Sequence, residues 1–97
     1  MKSVASSWET MEKALGSRGR LRILRCLYEN PSSSMTRYLI AKRTGLSRSE
    51  VKRDLEILLD LGWVSTEPLT PPTFRLNGEN LSVKSFVAFL EALRVKK

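Results

Sequence analysis

Residues 40–51, with the sequence IAKRTGLSRSEV, decide the fold that this chain is predicted to adopt. Gly45 follows a short helical segment, at the position where a helix commonly ends in a left-handed residue, and glycine adopts that conformation without strain. Two residues later Ser47 precedes Glu50 by three positions, which is the capping-box pattern at the start of a new helix. The stretch therefore predicts two helices, over about 36–44 and 47–61, joined by a short turn as in a helix-turn-helix.

The segments on either side extend this pair to a winged helix-turn-helix. A helix over about 17–29 precedes it and stops at an Asn-Pro pair, and residues 34–35 are suited to a short strand. After the pair, residues 63–66 and 73–76 are rich in β-branched and aromatic residues, which predicts a hairpin around a proline-rich loop. The expected fold class is mainly α (α+β): a winged helix-turn-helix with a two-stranded β-hairpin wing and additional N- and C-terminal helices.

The size and composition of the chain exclude several classes of protein. Its 97 residues, 41% hydrophobic and 28% charged, suffice for one globular domain and exclude a two-domain enzyme. The sequence contains no histidine, one cysteine, and neither a Walker phosphate-binding loop nor a dinucleotide-binding glycine motif. No apolar run is long enough to span a membrane. We expect a cytoplasmic, nucleoid-associated protein that is not an enzyme and has no cofactor, metal or membrane partner.

Positive charge is concentrated in the middle third of the sequence. The chain has a net charge of +7 and a pI near 10.1. Residues 18–53 alone contain eight arginines and two lysines against two glutamates, a net charge of +8. A block of this density repels itself and favours a polyanionic partner, which for a helix-turn-helix is double-stranded DNA.

The second helix of the pair is the one that enters the major groove in helix-turn-helix proteins, where its N-terminal residues contact base edges. With Val51 facing the core, Ser49 and Arg53 point away from it, and Lys52 lies on a flank. Basic residues that flank the turn are candidates for phosphate contacts. The predicted DNA-binding residues are Arg37, Lys42, Arg43, Ser47, Arg48, Ser49, Lys52, Arg53 and Arg75.

Other residues of the basic block are given different roles. Arg18 and Arg20 are weaker candidates for phosphate contacts, and we expect Arg22 and Arg25 to pair with acidic neighbours. Cys26 lies among apolar positions, which favours a small core residue over a redox switch. The aromatic side chains expected in the core are Tyr28, Tyr38, Trp63, Phe74 and Phe86.

The order of these segments resembles the ArsR-type winged-helix repressor family. The matching stretches are residues 20–27 (RLRILRCL), 40–51, 55–58 (LEIL) and 61–64 (LGWV), and the resemblance covers about residues 17–76. It implies a bacterial or archaeal transcription regulator. The family's metal sensors carry cysteines where this chain has residues 35–39, so the resemblance implies a member that does not sense metal. Asp54 stands where the family often has histidine, and the wing tip lacks the usual basic residue.

Apolar residues before and after this core predict a dimer. From Val83 to Val95 they are too numerous for one packing face, and a helix apolar nearly all round needs cover on both sides. The chain is divided into residues 1–16, an N-terminal dimerisation helix, residues 17–80, the winged DNA-binding domain, and residues 81–97, a C-terminal dimerisation helix. The interface predicted for a twofold homodimer contains Val4, Trp8, Met11, Leu15, Phe86, Phe89, Leu90 and Leu93.

The sequence thus favours a homodimer that binds specific sequences of double-stranded DNA and regulates transcription. Two alternatives stay open. One is an architectural, chromatin-type protein that coats DNA, which would show little difference in affinity between DNA sequences. The other is a winged-helix protein–protein interaction module, which would not require a basic, outward first turn on the second helix of the pair.

Overall fold

The computed structural model describes residues 4–31 and 33–95, with side chains for residues 8–31 and 33–94. Its elements are α1 (Val4–Leu15), α2 (Arg18–Glu29), β1 (Met35–Thr36), α3 (Arg37–Thr44), α4 (Arg48–Asp60), β2 (Val64–Glu67), β3 (Thr73–Leu76) and α5 (Leu81–Val95). The expected fold class, a mainly α winged helix-turn-helix with extra terminal helices, is confirmed.

Local hydrogen bonds explain where the three central helices begin. The hydroxyl groups of Ser17, Thr36 and Ser47 each accept a hydrogen bond from the backbone amide three residues further on, at 3.2–3.3 Å. Each bond satisfies an amide that would otherwise lack a partner at the start of a helix. Gly45 then ends α3 with a φ of 78°. The turn between α3 and α4 is therefore residues 45–47, as the sequence predicts.

The wing is part of a three-stranded antiparallel sheet in the order β1-β3-β2. In the hairpin, Val64 lies opposite Leu76. On the other side of β3, Met35 lies opposite Phe74. The expected two-stranded wing is thus extended by β1, one residue later than the sequence suggested. Because Met35 and Phe74 are both buried, this pairing ties the wing to the start of α3.

The hydrophobic core lies between α2, α3, α4 and the sheet. Its largest fully buried apolar side chains are Phe74, Ile23, Leu24, Met35, Ile40, Leu55, Leu58, Val51 and Val83. Among the described side chains, each terminal helix contributes one buried apolar residue, Ala14 from α1 and Val83 from α5. The rings of Trp63 and Phe86 also join α5 to the core, with their centroids 5.9 Å apart. Most of the apolar surface of α1 and α5 therefore lies outside this core.

Gly62 links the end of α4 to the wing and to α5. It has a φ of 79°, and its carbonyl oxygen accepts hydrogen bonds from Asn77 Nδ2 at 2.9 Å and Asn80 Nδ2 at 3.0 Å. The Oδ1 atom of Asn80 accepts hydrogen bonds from the backbone amides of Ser82 and Val83, which caps α5. The start of α5 is thus held directly against the C-terminal end of α4.

Asp54 of α4 is a fully buried charged side chain. Its Oδ1 atom accepts a hydrogen bond from Arg20 Nη1 of α2 at 3.1 Å, and Arg53 Nε lies 3.5 Å from the same oxygen. Its Oδ2 atom has no hydrogen-bond partner among the described residues and lies against Gly19, in the first turn of α2, near the positive end of the helix dipole. A buried charge is tolerated only with such compensation. This ion pair therefore fixes α4 against α2.

We predict that Gly19→Ala destabilises the domain although alanine is the better helix former. A Cβ atom at residue 19 would overlap Oδ2 of Asp54, which is buried and held by Arg20. Overpacking of this kind costs about 1–3 kcal/mol of the free energy of unfolding. The control is Gly78→Ala, because a Cβ atom there meets nothing within 4 Å. The midpoint of thermal denaturation should fall for Gly19→Ala and not for Gly78→Ala. Equal midpoints for the two variants would contradict the close packing at residue 19.

Candidate nucleic-acid interface

Helix α4 has one face in the core and one face in solvent. Val51, Asp54, Leu55 and Leu58 are buried, and these residues recur at three- and four-residue steps, as one side of an α-helix requires. Lys52, Arg53 and Glu56 are exposed on other sides. The predicted inward phase of α4 is therefore confirmed, with the addition of a buried carboxylate that the sequence analysis did not place.

The first turn of α4 presents a polar, basic surface. Ser47 caps the helix, and its hydroxyl oxygen lies 3.3 Å from that of Ser49. Ser47, Arg48 and Ser49 are all exposed, and Lys52 lies one turn further on. The structure thus brings four of the predicted DNA-binding residues together at one end of α4. Arg53 is a fifth predicted residue nearby and the third cation, although its Nε atom lies 3.5 Å from the Asp54 carboxylate.

The predicted phosphate-contacting residues of α3 point in different directions. Arg37 lies over the ring of Phe74, with Cζ 5.0 Å from the centroid, at the junction with the wing. Lys42 Nζ lies 5.9 Å from the ring centroid of Tyr38 on the outer side of α3. Tyr38 is 65% exposed, so its predicted place in the core is wrong. The cap at Thr36 sets a helix phase in which Ile40 faces inward and Tyr38 faces outward.

Arg43 lies on the side of α3 that faces α2. Its Nη1 atom donates a hydrogen bond to Asn30 Oδ1 at 3.0 Å. It lines an open groove of about 450 Å³ together with Arg22, Arg25 and Thr44. Arg43 is exposed, but the structure groups it with the arginines of α2 and not with the first turn of α4.

The arginines of α2 differ from each other in their contacts. Arg20 is bound to Asp54 and is 16% exposed, so its weak candidacy for a phosphate contact is wrong. Arg25 pairs with Glu29 at 3.1 Å, as predicted. Arg22 donates a hydrogen bond to the backbone carbonyl of Thr44 at 3.2 Å, and not to an acidic side chain as predicted. The carbonyl groups at the end of α3 attract it because they carry the negative end of that helix dipole.

Cys26 is a buried residue of α2, and its Sγ atom is 3.7 Å from Sδ of Met35. Burial raises the pKa of this thiol, while the nearby Arg43 guanidinium acts in the opposite direction. A buried thiol with a raised pKa is a poor nucleophile. The residue packs as the small core side chain that the sequence predicts.

Arg75 stands apart from the other predicted DNA-binding residues. It is exposed on β3, on the side of the strand opposite the buried Phe74. It lines an open cavity of about 720 Å³ together with Tyr28 of α2 and Glu91 and Arg94 of α5. The hydroxyl group of Tyr28 donates a hydrogen bond to Glu91 and accepts one from Arg94 at 3.3 Å. The tip of the wing, residues 68–72, contains no lysine or arginine.

The two terminal helices carry exposed apolar side chains. Trp8 and Phe89 are 58% and 60% exposed, and Met11 and Leu93 are also exposed. Leu15, Phe86 and Leu90 are half-buried. An open groove of about 610 Å³ between α1 and α5 is lined by Met11, Leu15, Leu81, Phe86 and Phe89, with Trp63 at its base. The side chain of Val4, the remaining predicted interface residue, lies outside the described residues.

Two features that would indicate other functions are absent from the described residues, 4–31 and 33–95. No cluster of three histidine, cysteine, aspartate or glutamate side chains occurs among them. None of the helices in this part of the chain combines the length and apolar character needed to cross a bilayer.

Comparison with solved structures shows the fold over nearly the whole chain. HlyU from Vibrio cholerae is 24% identical, with a TM-score of 0.74 over 96% of this chain and 97% of that chain. A homodimeric winged helix-turn-helix DNA-binding domain from Mycobacterium bovis, a possible ArsR-family regulator, is 22% identical, with a TM-score of 0.70 over 98% of this chain and 89% of that chain. An ArsR-like transcriptional regulator from a Rhodococcus species is 18% identical, with a TM-score of 0.66 over 97% and 85% of the two chains.

Comparison with protein families gives the assignment. No curated protein matches the chain in sequence. The IclR helix-turn-helix domain family matches residues 20–68, half of the chain, from the start of α2 to the end of the first wing strand. These residues contain the capped α4 and the Asp54–Arg20 pair that holds it. The predicted winged helix-turn-helix class is confirmed, whereas the finer ArsR-type assignment stays a prediction. The chain belongs to the IclR helix-turn-helix domain family.

Proposed function

We propose that this chain is a homodimer that regulates transcription in the cytoplasm by binding a specific sequence of double-stranded DNA through the first turn of α4. The observation that carries the proposal is the exposure of Arg48, Ser49 and Lys52 around the Ser47 cap, on a helix fixed from behind by Asp54. Arginine is suited to the O6 and N7 acceptors of guanine, and lysine and serine to bases or phosphates. Such residues discriminate between bases only when the helix that carries them is held rigidly.

Phosphate contacts in this proposal come from cations around the reading surface. Arg37 and Lys42 of α3 are exposed on either side of its core face, and Arg53 is exposed on α4. The exposed hydroxyl of Tyr38 beside Lys42 supplies a further hydrogen-bond donor, a group that commonly contacts phosphate. Arg75 stays a candidate on the wing strand. These contacts position the protein on DNA without reading its sequence.

The homodimer is supported by the exposed apolar surface of α1 and α5. A second copy placed on Trp8, Met11, Phe89 and Leu93 would remove these side chains from water. Complete burial of a large apolar side chain contributes about 1.5–3 kcal/mol, and several per protomer offset an association cost of about 4–15 kcal/mol. The structurally similar Mycobacterium bovis domain is homodimeric. A twofold axis would place two α4 helices on one side of the duplex.

We also assign the chain to ArsR-type regulators that do not sense metal. The IclR helix-turn-helix match ends at residue 68, whereas the similarity to the Mycobacterium bovis and Rhodococcus structures extends over α1 and α5. Residues 35–39 hold no cysteine, so the thiolate ligands of the family's metal sensors are not present there. This assignment concerns ancestry and does not alter the proposed mode of DNA binding.

The direct test is selection of bound duplexes from a random-sequence pool. We expect a consensus in the form of an inverted repeat, with half-sites centred about 10 base pairs apart, because a twofold dimer reads two successive major grooves. Retention without a consensus would favour the architectural alternative. Failure to retain any duplex would favour the protein–protein interaction module.

Substitutions on α4 should change the sequence preference of DNA binding, whereas a substitution on α3 should change only its strength and salt dependence. Arg48→Ala and Lys52→Ala should each cost about 1–3 kcal/mol of binding free energy on the selected site and relax its sequence preference. Lys42→Ala should weaken binding to all sequences alike and reduce the salt slope by about 1, because it removes a phosphate contact. The measurement is a salt titration on selected and scrambled duplexes. Equal, sequence-independent losses for all three variants would contradict base reading by α4.

Phe89→Glu should disrupt the dimer without unfolding the protomer. The side chain is 60% exposed in the protomer, so a charge is tolerated there until a second copy buries it. Sedimentation should shift from dimer towards monomer, and DNA affinity should fall although no DNA-facing residue has changed. Ala88→Glu, at the next exposed position of α5, is the matched control and should remain dimeric. A wild-type protein that sediments as an 11.0 kDa monomer at micromolar concentration would refute the dimer.

A further inference from the structure

The excess positive charge of the domain does not lie on the reading helix. Helix α4 contains three basic and four acidic residues, a net charge of −1. Helices α2 and α3 each carry a net charge of +3. The electrostatic attraction of DNA depends on the number of phosphates that a protein neutralises. That attraction must therefore come mainly from α2 and α3, while α4 discriminates between sequences.

Three of the four arginines of α2 form an exposed stripe. Arg20 is bound to Asp54 on the inner side of the helix. Arg18, Arg22 and Arg25 follow at steps of four and three residues, which places them on one outer face. Arg43 of α3 joins them across the groove that it shares with Arg22 and Arg25. We call Arg18, Arg22, Arg25 and Arg43 the α2 basic stripe.

The α2 basic stripe has little acidic compensation. Glu29 is the acidic residue that lines its groove, and it pairs with Arg25. Both partners are more than half exposed, and an exposed pair of this kind contributes little and dissociates readily in favour of a stronger partner. Four arginines and one glutamate leave a net charge of +3 on the stripe.

The stripe reaches the end of α3, next to the turn that leads to α4. Arg22 donates its hydrogen bond to the carbonyl of Thr44, the last residue of α3. The turn of residues 45–47 leads directly from there to the first turn of α4. Arg18 and Arg25 are separated by about 10 Å along the helix, a distance over which one DNA strand presents about three phosphates. The spacing and the position both suit a DNA backbone that continues past α4.

We infer that the α2 basic stripe binds the phosphates of the same duplex outside the segment that α4 reads. This inference rests on the proposed function and deepens it. It predicts a protected length of DNA that exceeds the read sequence on both sides of the dimer.

The test uses two duplexes that carry the selected site. The short one ends at the edges of the site, and the long one extends it by one helical turn, about 10 base pairs, on each side. The variant is Arg18→Gln/Arg25→Gln, which leaves the hydrogen bonds of Arg22 and Arg43 intact. The matched control is Lys13→Gln/Lys84→Gln, which removes the same charge from exposed positions on α1 and α5.

For the wild type and the control, we expect a steeper log–log salt slope on the long duplex. Arg18 and Arg25 of the two protomers contact about four phosphates, which account for about 3 to 4 of the difference in slope at about 0.9 each. The arginine variant should lose this part of the difference and keep the short-duplex affinity of the wild type. Identical slopes on both duplexes for the wild type would overturn the inference. The stripe would then have a different partner, such as an acidic protein or a second duplex. Equal losses for the arginine variant on both duplexes, or equal losses for variant and control, would also overturn it. Binding of the wild type to the short duplex tests the proposed function separately.

Discussion

The buried ion pair between Arg20 and Asp54 is the contact on which the position of the reading helix depends. It joins the first turn of α2 to the middle of α4, and it is possible only because Gly19 has no side chain at the point where the carboxylate approaches. Burial of a carboxylate is costly, and a hydrophobic pair of the same volume is often at least as stabilising. What the ion pair adds is a register set by one directional, charge-assisted hydrogen bond from Arg20 Nη1 to Asp54 Oδ1, whereas apolar side chains can slide. A helix that distinguishes bases by hydrogen bonds requires that register.

The same pair also changes how the charge of the domain is distributed. Arg20 of α2 is neutralised inside the protein by its ion pair with Asp54. Asp54 is one of the four acidic residues that give α4 its net negative charge. Glu56 and Asp60 follow the basic first turn of that helix, so phosphates are attracted at its beginning and repelled towards its end. This distribution suits the proposed function, in which α4 would enter the groove by its N-terminus while α2 and α3 would supply most of the electrostatic attraction. The uncharged wing tip agrees with this division, because it leaves the attraction of the backbone to α2 and α3.

Most of the fold could be predicted from local sequence signals, because those signals are hydrogen bonds that form within a few residues. The cap at Ser47 and the left-handed Gly45 are examples that the pattern predicts, and the caps at Ser17 and Thr36 lie at the predicted starts of their helices. The pairing of β1 with β3 was missed in part because it joins residues nearly forty positions apart. The sequence predicts Tyr38 in the core because α3 is too short for its pattern of apolar residues to show which side faces inward. An error of half a helical turn is enough to exchange an inward for an outward position. Asp54 did carry a signal, a carboxylate three residues after Val51 on the apolar stripe, but its partner on α2 cannot be identified without the tertiary structure. The grouping of Arg43 with α2 has the same origin.

The link at Gly62 explains how a dimer built from the outer helices could set the separation of two reading helices. The carbonyl of Gly62 directly follows the last turn of α4 and accepts hydrogen bonds from both Asn77 at the end of the wing and Asn80 at the cap of α5. Because Asn80 also caps α5, this carbonyl oxygen is a direct hydrogen-bonded link between the end of α4 and the start of α5. The middle of α4 is held against α2 by Asp54. The geometry of the apolar contact between protomers would then determine the spacing of the half-sites, and a change in that contact would be read directly as a change in DNA affinity.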